Sequence, residues 1–285
     1  MDKSSLGDRQ KGYEEVCERY LIRRMPVIMR LDGRSFTKWT KGLKRPFDDD
    51  LRQCMEYATF KLCEEVSNCR YGYTQSDEIS LLLIDYQDHN TQPWFKNRVD
   101  KMIASAATIC SNAFNVAAMK YLPEHWMKRG PAAFDARVFN IPRDDVSNNF
   151  LWRQRDCTRN SILSVAHANF SHNQMHKKNT DELQDMLFKQ KGINWDKIPT
   201  RYKRGVSFKK VEFQEKTPKG QICLRTRWVK NYEMPIISKM RVEVEQWLQE
   251  DPNLTYVEEG SELLHHYTCE EIDLKTLLKC PGEVV

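Results

Sequence analysis

The chain has 285 residues, 40% hydrophobic, 30% charged and 11% aromatic, with a formal net charge of +5. This composition builds a buried core, and with only 11 Gly and 11 Pro it excludes disordered, collagen-like and low-complexity classes. The length suggests two domains, or one with a large appendage.

Val27 to Leu31 is a short apolar run bounded by Pro26 and Asp32-Gly33, which predicts a strand ending in a turn. From Asp48 to Val66, residues Leu51, Cys54, Met55, Ala58, Leu62 and Val66 recur at helical spacing, with Asp48 as the cap. Tyr71 to Thr74 and Ile79 to Ile84 predict two strands joined by the polar turn Gln75-Ser76-Asp77-Glu78. Trp94 to Tyr121 reads as a second long helix, rich in alanine. Ala136 to Ile141 reads as a fourth strand, ended by Pro142.

The order is β-α-β-β-α-β, the split βαβ arrangement of an α/β (α+β) fold. It predicts a four-stranded antiparallel sheet with two helices on one face. We divide the chain into a domain at 1–141 and a mainly helical second part at 142–285 carrying a basic hairpin.

The nine cysteines are odd in number and include no CxxC pair, so reduced, mostly buried thiols in a cytoplasmic protein are expected. The first fifteen residues lack the apolar core of a signal peptide. Apolar stretches fall short of the ~20 residues a membrane helix needs, and no membrane association is expected.

In the predicted sheet the first and third strands are adjacent. Asp32 ends one, and Asp77 and Glu78 lie on the hairpin leading into the other, so these carboxylates meet at one edge. Mg²⁺ takes one or two carboxylates plus substrate phosphates, and two such ions ~4 Å apart serve phosphoryl transfer. Asp32 and Asp77 are placed to bridge such a pair. Gly33 lets the backbone approach closely, and Arg34, Ser35 and Phe36 offer a guanidinium and N–H groups to a triphosphate. The alternative is two ordinary surface turns.

Charge is uneven. Lys177 to Lys230 holds 15 Lys/Arg against 6 Asp/Glu, and Asn231 to Val285 holds 4 against 12. The basic stretch includes Lys177, Lys178, Lys189, Arg201, Lys203, Arg204, Lys209 and Lys210, interleaved with Phe188, Trp195, Tyr202, Phe208 and Phe213. Cations for phosphates and rings for bases suit RNA, although a solvated surface over core aromatics reads the same way. The acidic end is expected to pack against the basic part or a neighbouring subunit.

RLDGRSF at Arg30–Phe36, RPFDDDL at Arg45–Leu51 and YTQSDEIS at Tyr73–Ser80 resemble the motif set of the tRNA-histidine guanylyltransferase family. FDARVFNIP at Phe134–Pro142 and LWRQRDC at Leu151–Cys157 resemble later blocks. NSI at Asn160–Ile162 and YKRG at Tyr202–Gly205 match more weakly.

The resemblance implies a polymerase-palm-like domain of ferredoxin type that adds nucleotides in the 3′-to-5′ direction to the 5′ end of tRNA. It implies two Mg²⁺ ions held by Asp32, the Gly33 carbonyl and Asp77, with Glu78 supporting. It implies contacts to the triphosphate from Asp32, Gly33, Arg34, Ser35, Phe36, Thr37, Ser76 and Asp77. ATP or GTP would first activate a 5′-monophosphate. The 3′-hydroxyl of an incoming nucleotide would then attack it. A homotetramer is also implied.

One block departs from the pattern. Where histidine-tRNA enzymes carry a HINNLYNT-like motif, this chain reads Thr158 to Val165, without the histidine and with Arg159 beside its place. That departure implies template-dependent repair of 5′-truncated tRNA over guanosine addition to histidine tRNA. A nucleotide cyclase and a non-catalytic tRNA-binding module are the more distant alternatives.

Other residues carry smaller expectations. Lys41, Lys44 and Arg45 either reach triphosphate oxygens or form a basic loop. Arg30 pairs with a carboxylate or touches phosphate. Trp152 and Arg153 pack, with an arginine salt bridge, or touch RNA, as does Arg159. His167, His172 and His176 cluster without cysteine or carboxylate at ligand spacing. Asp48 to Asp50 is read as a helix N-terminus.

Overall fold

The computed structural model describes residues 4–216, 221–249, 255–258, 261 and 269–273. The sheet begins with β1 (Val27–Gly33), β2 (Cys69–Gln75), β3 (Glu78–Leu83) and β4 (Phe134–Asn140). These lie in the order β4-β1-β3-β2, all antiparallel, as the split βαβ pattern predicts. The hairpin between β2 and β3 is tighter than expected. Gln75 pairs with Glu78, so only Ser76 and Asp77 turn the chain.

A short helix α1 (Ser5–Glu15) precedes the sheet, and a single turn α2 (Phe36–Trp39) follows β1. Helix α3 (Asp49–Glu65) starts where the acidic run places it. The Asp48 carboxylate accepts from the Leu51 N–H at 2.9 Å, and Asp49 and Asp50 occupy the first turn.

Helix α4 (Val99–Tyr121) starts later than the sequence suggests. Trp94 to Asn97 forms a separate 3₁₀ turn in which Phe95 and Lys96 are left-handed. Backbone bonds from Leu21 to Asn97 and from Val99 to Arg19 tie that turn to the N-terminal segment. Helix α4 also corrects the expectation about apolar stretches. By length and composition alone it is apolar enough to cross a membrane. In this fold Met102, Ala106, Cys110, Phe114 and Ala117 lie buried in the core beside α3 and the sheet.

The central strands are buried on both faces, which explains why Val27, Ile28 and Met29 of β1 are consecutive apolar residues. Val27, Met29 and Leu31 join the core with α3 and α4. Ile28 points the other way and joins Tyr71, Tyr73, Leu82, Val146 and Phe150. After the short α5 (Pro123–Arg129), the long helix α6 (Val146–Asn169) covers this second face. The sheet is therefore covered on both faces, where the sequence predicted helices on one.

Three shorter helices follow: α7 (His172–Met175), α8 (Thr180–Lys191) and α9 (Thr200–Arg204). The basic stretch then forms β5 (Val206–Lys216) and β6 (Ile222–Asn231), and β5 pairs with β2. The palm sheet thus continues into the second half of the chain. Helix α10 (Arg241–Trp247) and the two-residue β7 (Thr255–Tyr256), parallel to β5, complete the described elements.

Glu56, 1% exposed on α3, anchors the hairpin. It accepts from Tyr232 Oη at 2.8 Å and Lys230 Nζ at 3.2 Å, and it pairs with Arg52. Much of the acidic C-terminal stretch lies outside the described residues. Its Glu271 pairs with Lys61 on α3 at 2.8 Å.

Candidate functional site

The predicted carboxylates meet at the end of the central strands. Asp32 stands opposite Glu78 of β3 on one side and opposite Asp135 of β4 on the other. Direct cross-strand partners share a face of the sheet, so three carboxylates stand in a row. Asp77 adjoins them, because the Gly33 N–H donates to the Asp77 carbonyl at 3.1 Å.

Like charges opposite one another oppose folding. Burial, then Asp77, Glu78 and Asp135, push the Asp32 carboxyl above the usual aspartate range. Burial raises Asp77 as well, while a hydrogen bond from Ser76 Oγ at 3.0 Å works against the rise.

Glu78 differs from its neighbours. Arg153 on α6 donates to both its oxygens at 3.0 and 2.6 Å, and Gln75 Nε2 donates at 2.6 Å. Asp32 has no such donor among the described residues. The open acidic charge therefore falls on Asp32 and Asp77.

Among the described residues no three of His, Cys, Asp and Glu form a cage for a metal ion. Two open carboxylates are nonetheless the donor set Mg²⁺ uses when phosphates supply the rest. The residues present fit that ion.

The turn after β1 is shaped by Gly33. A Cβ there would lie 2.2 to 2.6 Å from the Phe36 ring. That ring is packed among Trp39, Phe114 and Phe134 with centroids 5.0 to 5.7 Å away. Phe36 therefore offers a ligand its backbone, its side chain being buried. Arg34, Ser35 and Thr37 are exposed beside it. Ser35 and Ser76 both take left-handed φ, at 56° and 51°. Such strain costs roughly 1–3 kcal/mol each and gathers at functional turns.

A cavity of about 380 Å³ opens beside Asp77. Its walls come from Thr37 and Lys44 after β1, Arg52 on α3, Ser76 on the hairpin, Asn160, Ser164 and His167 on α6, and Arg201 and Tyr202 on α9. Lys44 is exposed, with Nζ 3.9 Å from Asp50.

Sequence reasoning misses Asp135, Arg52, Ser164 and the position of His167 on the cavity wall. The alternation of β4 and the helical stripe 160–164–167 are the signals that locate them. The histidines do not form one cluster of ligands. His172 and His176 lie 6.5 Å apart ring to ring on the far side of the Phe170 bend.

The cations assigned to RNA divide into several kinds. Arg153 is 5% exposed and committed to Glu78 and Asp156, so it is part of the core and not a surface for RNA. This ion pair from helix α6 to β3 is why Arg153 is withdrawn from the RNA-facing surface. Arg159 is exposed and paired with Asp156, and Lys189 with Asp185 at 2.7 Å. Lys177, Lys178 and Lys210 are exposed, while Arg201, Lys203, Arg204 and Lys209 are half-buried. Arg201 stacks on Tyr202 and Tyr232 beside the cavity. Burial pulls the Lys209 ammonium down. Arg30 is half-buried beneath Trp152.

A palm-type sheet with carboxylates at its edge and a nucleotide-sized cavity defines a nucleotidyltransferase. Residues 7–142 match the family model described as Thg1, tRNAHis guanylyltransferase. A bacterial tRNA(His) guanylyltransferase (Thg1)-like protein, solved in complex with ATP, is 38% identical with a TM-score of 0.77. The alignment covers 87% of this chain and 100% of that one. The same kind of protein in complex with GTP is 37% identical with a TM-score of 0.71, over 86% and 99%. A probable tRNA(His) guanylyltransferase of Dictyostelium discoideum is 28% identical over 67% of this chain and 77% of its own. The chain belongs to the tRNA(His) guanylyltransferase family, and its chemistry is guanylyltransferase-like nucleotide addition to tRNA.

Proposed function

We propose that the protein repairs tRNA by template-dependent 3′-to-5′ nucleotide addition at the 5′ end. The observation that carries this reading is the pairing of open Asp32 and Asp77 with the adjoining cavity. The ATP and GTP complexes of the bacterial neighbours support that cavity as a nucleotide site. The missing histidine beside Arg159 supports templated repair over guanosine addition to histidine tRNA.

Asp32, Asp77 and the Gly33 carbonyl would hold two Mg²⁺ ions, which neutralise phosphate charge and sharpen the attacking oxygen. Glu78 serves by fixing Arg153 and the hairpin. Arg34, the backbone of Ser35 to Thr37, Lys44 and Ser76 receive triphosphate oxygens. In the activation step an oxygen of the RNA 5′-phosphate attacks the α-phosphorus of ATP or GTP, and pyrophosphate leaves. In the addition step the 3′-hydroxyl of the incoming nucleotide attacks the RNA phosphorus, and the nucleoside monophosphate leaves. No protein nucleophile is needed, since positioning and electrostatics supply the catalysis. Exposed Lys177, Lys178 and Lys210 guide the RNA. The palm portion at 1–141 carries the chemistry, and 142–285 supplies tRNA contacts and the tetramer interface, in a cytoplasmic enzyme.

The test uses a tRNA lacking its first 5′ nucleotide, with a labelled 5′-monophosphate, incubated with Mg²⁺, ATP and each NTP singly. Addition of only the nucleotide complementary to the opposing 3′ base is expected. Guanosine addition whatever the template assigns the protein to histidine-tRNA maturation instead. Nucleotide joining without RNA points to a cyclase. tRNA binding without addition points to a binding module.

A further inference from the structure

Helix α6 divides the face of the sheet that carries Asp32. The cavity beside Asp77 lies toward β2 and β5. Toward β1 and β4 lies an open shelf, because β4 is the edge strand and no described residue pairs beyond it.

Three observations mark the shelf. Trp152, one residue before the buried Arg153, is 52% exposed rather than packed. Its ring is nonetheless held, with the Arg153 guanidinium 3.5 Å from its centroid and Arg153 pinned in turn by Glu78. Arg30, two residues before Asp32 and so on the same face, lies 5.4 Å from the same ring.

Arg30 forms no ion pair and no side-chain hydrogen bond among the described residues, and its buried Nε has no partner. Arg137 stands directly across from it on β4. Arg137 and Arg153 crowd this half-buried guanidinium, and Glu78 and Asp32 draw on it without pairing with it, so its unpartnered Nε is completed by an anion. An exposed indole beside such a cation is how single-stranded nucleic acid is held, base on ring and phosphate on guanidinium.

Resting on the reading that an RNA 5′ end lies at Asp32, we propose that Trp152 and Arg30 receive the terminal nucleotide of that RNA. The base stacks on the indole and a phosphate meets Arg30. The openness of the shelf favours RNA over a free nucleotide, because a polynucleotide must continue past the site. A single triphosphate is better matched by the walled cavity beside Asp77.

The experiment places 2-aminopurine at the 5′-terminal position of the truncated tRNA and follows its fluorescence on the full-length protein with Mg²⁺. Wild type quenches it, Trp152→Phe retains most of the quench, and Trp152→Ala loses it. In Trp152→Ala the Kd for the truncated tRNA rises about tenfold. The Kd for ATP and the melting temperature stay unchanged. Arg30→Gln weakens tRNA binding and lowers the salt slope by about one.

A quench that survives Trp152→Ala overturns the proposal. So does a quench seen with free 2-aminopurine riboside triphosphate but not with the RNA. If wild type repairs tRNA and Trp152→Ala repairs it with equal kcat/KM, the shelf falls and the repair reading stands. If wild type quenches through Trp152 but adds nothing, the shelf stands and the repair reading falls.

Discussion

Glu78 and Asp32 face each other across β1 and β3, yet Arg153 donates to both oxygens of Glu78 and to neither oxygen of Asp32. The same register pair thus holds one neutralised carboxylate and one open one. Arg153→Ala leaves Glu78 without its cation in a largely buried setting, while Asp156 keeps Arg159. Loss of one partner from such a pair costs about 3 kcal/mol or more. Urea denaturation of Arg153→Ala should show that loss, and a single negative charge fewer (Arg153→Ala with Glu78→Gln) should recover part of it.

Asp32→Asn and Asp77→Asn should each reduce nucleotide addition by about 10³-fold, as removal of charge stabilisation does elsewhere. Asp32→Asn should at the same time raise the melting temperature at pH 7. The folded carboxyl titrates above its ordinary value of 3.8, so the unfolded state ionises first and ionisation opposes folding. The gain should therefore vanish as the pH falls below that value. Mg²⁺ at a hundred times its Kd should stabilise wild type by about 2.7 kcal/mol and leave the Asn variants unmoved.

Ser76 has opposing effects on stability and chemistry. Ser76→Gly relieves the left-handed φ of 51° and should stabilise the protein by about 1 kcal/mol. It also removes the hydrogen bond that holds down the proton affinity of Asp77. Activity needs the ionised carboxylate and fades as the pH falls through its folded pKa. The acidic limb of the kcat/KM profile should therefore move to higher pH in the variant.

Gly33→Ala drives a methyl group into the Phe36 ring, which cannot retreat because Phe114 and Phe134 back it. Overpacking of this kind costs about 1–3 kcal/mol. The turn carrying Arg34 to Thr37 should shift with it, so activity should fall more than stability does. A parallel urea titration and addition assay checks both.

Exposed Lys177 and Lys178 test the RNA path. Alanine at both should lower the slope of log Kd against log salt for tRNA by about two if each meets a phosphate. Steady-state ATP binding should be unaffected.

Local pattern was enough for the order of elements and for much of the site. Asp48 caps α3 because a carboxylate before an acidic first turn satisfies free N–H groups wherever it occurs. The strands around Ile28, Tyr73 and Leu82 were legible from their apolar runs, and Asp32 and Asp77 follow from their adjacency. Helix α4 was misplaced at its start, because left-handed Phe95 and Lys96 answer to bonds with residues far earlier in the chain.

The sequence by itself determined the split βαβ order, the family and the acidic sheet edge, because periodicity, caps and motifs act over a few residues. Only the tertiary structure decided which carboxylates are open, that Arg153 is a buried partner, and that Trp152 lies bare beside Arg30. It also decided that β5 extends the palm by pairing with β2. Each of these depends on side chains or strands brought together from distant segments. Their burial and charge follow from that packing, which no local pattern of residues encodes.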